Sequence, residues 1–95
     1  MSVARITTLN LKSKEGADKI VQSYTATAPG KFPEAEQLLQ IRVDNTTVMA
    51  VSLYENYEAM ERATAARTRR MGSKKDHFAS VDTKVGIVEL NHSKM

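Results

Sequence analysis

The chain contains no cysteine and no tryptophan, and only two prolines, four glycines and 5% aromatic residues among its 95 positions. The missing cysteines exclude disulfide frameworks, CxxC redox chemistry, thiolate metal sites and a cysteine nucleophile. His77 and His92 are then the whole supply of imidazole. No apolar run approaches the roughly 18 residues of a membrane span, and the start MSVARITTLN lacks the charged-then-apolar layout of a signal peptide. A cytoplasmic protein without membrane attachment is the expectation. Gly-rich phosphate loops, HExxH, DxDxDG and GxSxG are all absent, so no motif calls for a metal or a cofactor and none is expected. The ending Ser93-Lys94-Met95 only approximates a peroxisomal address and is discounted.

What is present suits one ordinary domain over residues 1–95, with 41% hydrophobic and 26% charged residues and no repeat, low-complexity tract or linker. A domain this short buries only about 60 to 65% of its unfolded surface. With no crosslink or metal to add stability, oligomerisation is the simplest source of further burial.

Charge is unevenly placed. Arg62, Arg67, Arg69, Arg70, Lys74 and Lys75 form a block without an acid, and the remaining 8 basic and 11 acidic residues carry −3. Clustered cations suit a polyanion such as nucleic acid. The simpler reading is a solvated helix: Glu55, Glu58 and Glu61 precede the block, so acids stand toward the N-terminal turns and bases toward the C-terminal end. Glu58 and Arg62 also have the spacing of an i,i+4 pair.

Along the chain, residues 3–11 (VARITTLNL) are rich in β-branched side chains and read as a strand. Ser13 can cap a helix whose Ala17, Ile20, Val21, Tyr24 and Ala28 share one face, and Pro29-Gly30 is expected to stop it. After a loop over residues 31–34, Leu39, Ile41 and Val43 alternate with Gln40 and Arg42. Asp44-Asn45-Thr46 is a short polar turn, and residues 47–54 (TVMAVSLY) return to complete a hairpin. Asn56 can cap a second helix with Tyr57, Met60, Thr64 and Met71 on one face, interrupted at Gly72. Ser73 then opens a further helical piece carrying His77 and Phe78 in its first turns. Residues 85–90 (VGIVEL) close as a last strand, and residues 91–95 read as a frayed tail.

The order β α β β α β predicts a ferredoxin-like α+β sandwich: a four-stranded antiparallel sheet with both helices on one face. Ile6, Leu9, Ile41, Val43, Met49, Val51, Ile87, Val88 and Leu90 exceed what one sheet face can hold. The second face is therefore expected to be apolar and covered by another copy of the chain.

With that layout in view, residues 3–91 resemble the dimeric α+β barrel superfamily, particularly the antibiotic-biosynthesis-monooxygenase-like and small stress-responsive proteins. The resemblance is carried by the helix GADKIVQSYTATAPG, the strand-to-helix junction TVMAVSLYENYEAMERA and the broken second helix. It implies a homodimer whose two sheets face each other as a barrel, with a ligand cleft in each subunit between sheet and helices. It also implies kinship with cofactor-independent monooxygenases acting on aromatic polyketides. Haem-degrading members pair an asparagine of the first strand with a tryptophan and a histidine of the second helix. Asn10 and His77 stand at plausible counterparts, but the tryptophan has none.

Each candidate residue has a bland reading beside the functional one. His77 could act as general base or haem ligand, or be an exposed histidine beside Lys75 and Asp76. Asn10 could bond a ligand carbonyl, or simply end a strand. Tyr24, Tyr54, Tyr57, Met60, Met71 and Phe78 could line an aromatic pocket, or be plain core. Arg5 and Arg42 could point into the intersubunit barrel toward an acid or an anionic ligand, or sit at a rim bonded to Glu36 or Asp44. The first functional reading is a homodimeric binder of a small apolar or aromatic molecule, or a monooxygenase-like enzyme without metal or flavin, with His77 and Asn10 as catalytic candidates. The alternatives are a non-catalytic regulatory or assembly module and, further off, an RNA-binding βαββαβ module. The RNA reading is disfavoured because the strands lack the stacking aromatics such modules use.

Overall fold

Short-range signals account for most of the elements. The computed structural model describes residues 2–92, so the Ser93-Lys94-Met95 ending and the last part of the expected tail lie outside the described residues. Strand β1 (Val3–Leu11) leads to helix α1 (Lys14–Lys31), and strands β2 (Ala35–Arg42) and β3 (Thr47–Tyr54) form the hairpin. Helices α2 (Tyr57–Arg62) and α3 (Thr64–Lys74), a 3-10 turn over Lys75–His77 and strand β4 (Phe78–Ile87) complete the chain. Ser13 and Asn56 cap as expected: the Ser13 hydroxyl accepts from the Gly16 amide at 3.0 Å, and the Asn56 carboxamide oxygen accepts from the Ala59 amide at 2.9 Å. The Asp44 carboxylate closes the hairpin turn by accepting from the Thr46 amide at 2.9 Å.

Four boundaries differ from the sequence reading. Pro29-Gly30 does not stop α1. Pro29 lies in the last turn, where its missing donor costs one exposed bond, and the Phe32 amide donates to the Ala28 carbonyl at 2.9 Å while the Phe32 side chain is buried. The second helix breaks at Ala63 and not at Gly72, which sits inside α3 in open space. Ser73 starts no helix; its hydroxyl donates to the Arg70 carbonyl at 2.8 Å. The last strand runs over Phe78–Ile87, so Phe78 is its first residue and Val88 and Leu90 lie beyond it. Val81, Thr83, Val85 and Ile87 alternate with Ser80, Asp82, Lys84 and Gly86, the period of a strand.

The sheet order is β2-β3-β1-β4, all antiparallel. Register assigns the faces. Val3, Arg5, Thr7, Leu9 and Leu11 of β1 face the helices and are buried, alongside buried Val48 and Tyr54 and half-buried Ala50 and Ser52 of β3. Leu9 thus belongs to the helix-covered face. Ile6 pairs with Val51, Val51 with Leu39, and Met49 with Ile41 on the opposite face. There Ile6, Leu39 and Ile41 keep 36%, 42% and 45% of their surface exposed, an open apolar face of the kind the composition implied.

Under the helices the core falls into two clusters. One joins Val3, Ala28, Phe32, Tyr54, Ala59, Met60 and Ala63; the other joins Leu9, Leu11, Ala17, Ile20 and Val48. The space between these clusters, under α3, is where the fold leaves room for a site.

Candidate functional site

Helix α3 follows the break because Ala63 and Thr64 give the Met60 carbonyl two alternative donors, the Ala63 amide at 3.1 Å and the Thr64 hydroxyl at 3.4 Å. None of its residues is buried. It meets the sheet through Arg67, Arg70, Met71 and Lys74, which at i, i+3, i+4 and i+7 share one face, while Ala65, Thr68, Arg69, Gly72 and Ser73 are exposed. Three cations and a methionine therefore point inward, Arg67 to the sheet and Arg70 to α1.

These side chains roof a cleft. Its floor is Arg5, Thr7 and Leu9 of β1 with Val48, Ala50, Ser52 and Tyr54 of β3; Ile20 and Tyr24 of α1 and Gln40 of β2 form the side wall, and Phe32 and Phe78 also contribute. Gln40 ties the wall together by donating to the Val21 carbonyl at 3.3 Å and the Thr25 hydroxyl at 3.1 Å. The unfilled space is about 60 Å³, with grooves of about 410 and 440 Å³ opening on the two flanks of α3. The enclosed part is room for water only, because the long side chains of α3 occupy the rest. A helix with no buried residue can give way at small cost.

Every charged side chain in the described lining of the cleft is a cation, and that lining includes no aspartate or glutamate. Arg5 is only 7% exposed, and its guanidinium donates to the Thr64 hydroxyl at 3.2 Å. Arg67 donates to the hydroxyls of Thr7 at 3.2 Å and Thr83 at 2.8 Å. Arg70 donates to the Thr27 hydroxyl at 2.9 Å and stands over the Tyr24 ring with its guanidinium carbon 5.0 Å from the centroid. Burial pushes the pKa of Arg67 and Arg70 below the ordinary guanidinium value, and the charge of Arg5 adds to this at Arg67. Burial also pushes the Tyr24 phenol up, against the opposing effect of the Ser52 hydroxyl. Tyr24 is thus a neutral hydrogen-bond donor near pH 7.

Among the residues singled out in the sequence, Tyr24, Tyr54, Met71 and Phe78 come together at this cleft. Met60 is buried beside Tyr54 in the core, and Tyr57 is exposed at the start of α2. His77 does not line the cleft. It packs on the start of α1, where a Cβ at Gly16 would meet its Nδ1 at 3.2 Å, so Gly16 permits this approach. Asn10 is on the open face of the sheet, donating to the Ser80 hydroxyl at 2.9 Å and accepting from the Thr47 hydroxyl at 3.3 Å. Arg5 points to the helices and away from the open face. Arg42 is at the rim, bonded to the Asp18 carboxylate at 2.9 Å and to the carbonyls of Asp44 at 2.9 Å and Asn45 at 2.8 Å. The residues missed in sequence are Arg67, Arg70 and Lys74. Their shared helical face was visible, but cations on a helix ordinarily face solvent.

No protein-family model and no curated protein matches the chain. Solved structures do match. A dimeric ferredoxin-like protein from an uncultured marine organism superposes with a TM-score of 0.78 at 9% identity, over 99% of this chain and 93% of that one. The monooxygenase ActVA-Orf6 of Streptomyces coelicolor, solved with the ligand nanaomycin D, gives 0.77 at 12% identity over the same shares, 99% and 93%. SnoaB, a cofactor-independent oxygenase from Streptomyces nogalater, gives 0.70 at 14% identity over 95% of each chain. At such identities the likeness is one of fold. The chain has the ferredoxin-like α+β fold of the antibiotic-biosynthesis-monooxygenase-like proteins.

Proposed function

We propose that this chain works as a homodimer, paired through its open sheet face, in which each copy holds a flat, mostly apolar or aromatic molecule in the cleft under α3. The observation that carries the reading is the cleft itself, where Tyr24, Tyr54, Met71 and Phe78 meet beneath a helix with no buried residue. Aromatic rings and a thioether are the surfaces a planar apolar ligand packs against. The dimer is supported by Ile6, Leu39, Ile41, Met49 and Val51 on the open face, and by the dimeric ferredoxin-like neighbour. That face carries no aromatic residue among the described strands, which favours a protein partner over stacked RNA bases.

In its enzymatic form the reading is a monooxygenase-like oxidation in which the substrate itself reduces O2. A ring-flanked CH2 loses its two hydrogens and becomes C=O with one oxygen atom, and the other oxygen atom leaves with the hydrogens as water. The cleft lining includes no histidine, aspartate or glutamate, so its contribution is to orient the substrate and stabilise the anion that reacts. His77 and Asn10, the catalytic residues expected from the sequence, take no part in this form of the proposal.

The test is a titration of the labelled protein with 2-naphthol, a neutral aromatic probe, followed by NMR. Resonances of Tyr24, Tyr54, Met71 and Phe78 shift, those of Asn10 do not, and His77→Ala binds the probe as well as the parent. Shifts confined to the open sheet face would overturn the reading. Oxygen uptake with an anthrone-type ketone then separates an enzyme from a binder.

A further inference from the structure

We infer that the ligand of this cleft is an anion: a flat apolar molecule bearing an ionised oxygen, carboxylate or phenolate, seated against the guanidinium groups of Arg67 and Arg70. The inference rests on the proposed aromatic cleft and adds the charge of what enters it.

The described ion pairs are Lys14 with Asp18, Arg42 with Asp18, Arg62 with Glu34 and Lys84 with Asp82, all at the surface. None involves the cleft, whose lining among the described residues has Arg5, Arg67, Arg70 and Lys74 but no aspartate or glutamate. The flanking grooves are likewise without acids. Every hydrogen bond described for the three cleft arginines goes to a threonine hydroxyl, which orients a guanidinium without neutralising it.

One donor is left over. Nη2 of Arg70 is buried with no hydrogen-bond partner among the described residues, although its guanidinium is held in place by Thr27 and the Tyr24 ring. A buried charged donor without an acceptor is among the costlier defects a fold can carry. A lysine could relieve it by losing its proton; a guanidinium cannot. Like-charged Arg5 beside Arg67 raises the cost further. An ionised oxygen entering between Arg67 and Arg70 would satisfy the orphan donor and offset the repulsion, while its ring system lies against Tyr24, Met71 and Phe78. The same charge would favour ionisation of an acidic substrate in a cleft lined by no ordinary base, as a positive neighbour lowers an acid's pKa.

The experiment compares three probes on the full chain by calorimetry at pH 7.5: 2-naphthoate, its neutral methyl ester, and sulfate. Naphthoate is expected to bind at least tenfold more tightly than the ester and than sulfate. Arg67→Gln and Arg70→Gln should each weaken naphthoate at least fivefold and lower the ratio of acid to ester affinity, with Arg70→Lys retaining the preference for acid over ester. The acid-to-ester ratio of the parent protein stands as a test even if a glutamine variant fails to fold. Equal binding of acid and ester overturns the anion while leaving the aromatic cleft in place. Sulfate binding as tightly as naphthoate shows a site for bare anions and overturns the ligand class. Failure of both naphthalene probes at millimolar concentration overturns the aromatic cleft, and this inference with it.

Discussion

Arg62 donates to the Glu34 carboxylate through three contacts of 2.6 to 2.9 Å, while five residues later Arg67 finds only threonine hydroxyls. The expected helical partner of Arg62, Glu58, lost to a residue 28 positions away, because Glu34 presents both oxygens to the end of α2. Arg62 holds the Glu34 carboxyl below the usual range. A carboxylate whose pKa is depressed on folding contributes fully above its unfolded value, about 4.3, and loses that contribution as pH falls through the lowered folded value. Glu34→Gln is therefore expected to lower the urea midpoint at pH 7, with the difference from the parent closing as the pH falls below 4. A difference that persists unchanged at pH 2 would assign the effect to packing and not to the ion pair.

At the scale of elements, α3 is the least anchored helix and the one that matters for the cleft. Its apolar contacts with the core are only Ala66 and Met71, both half-buried, beside Arg67, Arg70 and Lys74, so hydrophobic burial contributes little to holding it down. Gly72 adds to this, since glycine in a helix interior costs about 0.5–1 kcal/mol relative to alanine. It has no unusual backbone angle to justify it, and a Cβ there meets nothing within 4 Å. Gly72→Ala is expected to stabilise α3 by about 0.5–1 kcal/mol, read as slower amide hydrogen exchange at Arg70 and Met71. If exchange there is unchanged, α3 does not open independently of the sheet and the roof of the cleft is more rigid than its burial implies.

At the scale of the molecule, helices lie over one sheet face, leaving Val81, Val85 and Ile87 of edge strand β4 exposed there, and none lies over the other. The row Leu39, Val51, Ile6, followed by Ile41 and Met49 on the next row, is continuous across three strands. Edge residues Asp82 and Lys84 of β4 border it with an ion pair at 3.4 Å. An apolar centre with a polar border is the anatomy of an interface. Light scattering at micromolar concentration is expected to give about twice 10.5 kDa for the parent chain, and Val51→Asp to shift the population to monomer. A parent that is monomeric at that concentration would remove the paired-sheet arrangement while leaving the cleft under α3 intact.

The caps at Ser13 and Asn56 and the turn at Asp44, each closed within three residues, could be read directly from the sequence. Ser13 and Asn56 cap because their side chains reach the amides just ahead, and the Asp44-Asn45-Thr46 turn joins an alternating run to one that is apolar on both parities; these suffice for the order β α β β α β. Binary patterning likewise showed that one sheet face could not hold all the apolar residues. What only the tertiary structure decided is which partner each long or polar side chain finds. The second helix breaks at Ala63 because the Thr64 hydroxyl serves both the Met60 carbonyl and Arg5 on β1, a contact across 59 positions. Arg67 and Arg70 turn inward because Thr7, Thr27 and Thr83, on three other elements, offer acceptors under α3. A histidine beside a helix break looked like a site in one dimension, yet His77 meets Gly16 of α1 and not the cleft. Periodicity reports which side chains share a face; what stands opposite that face depends on how the chain returns to it.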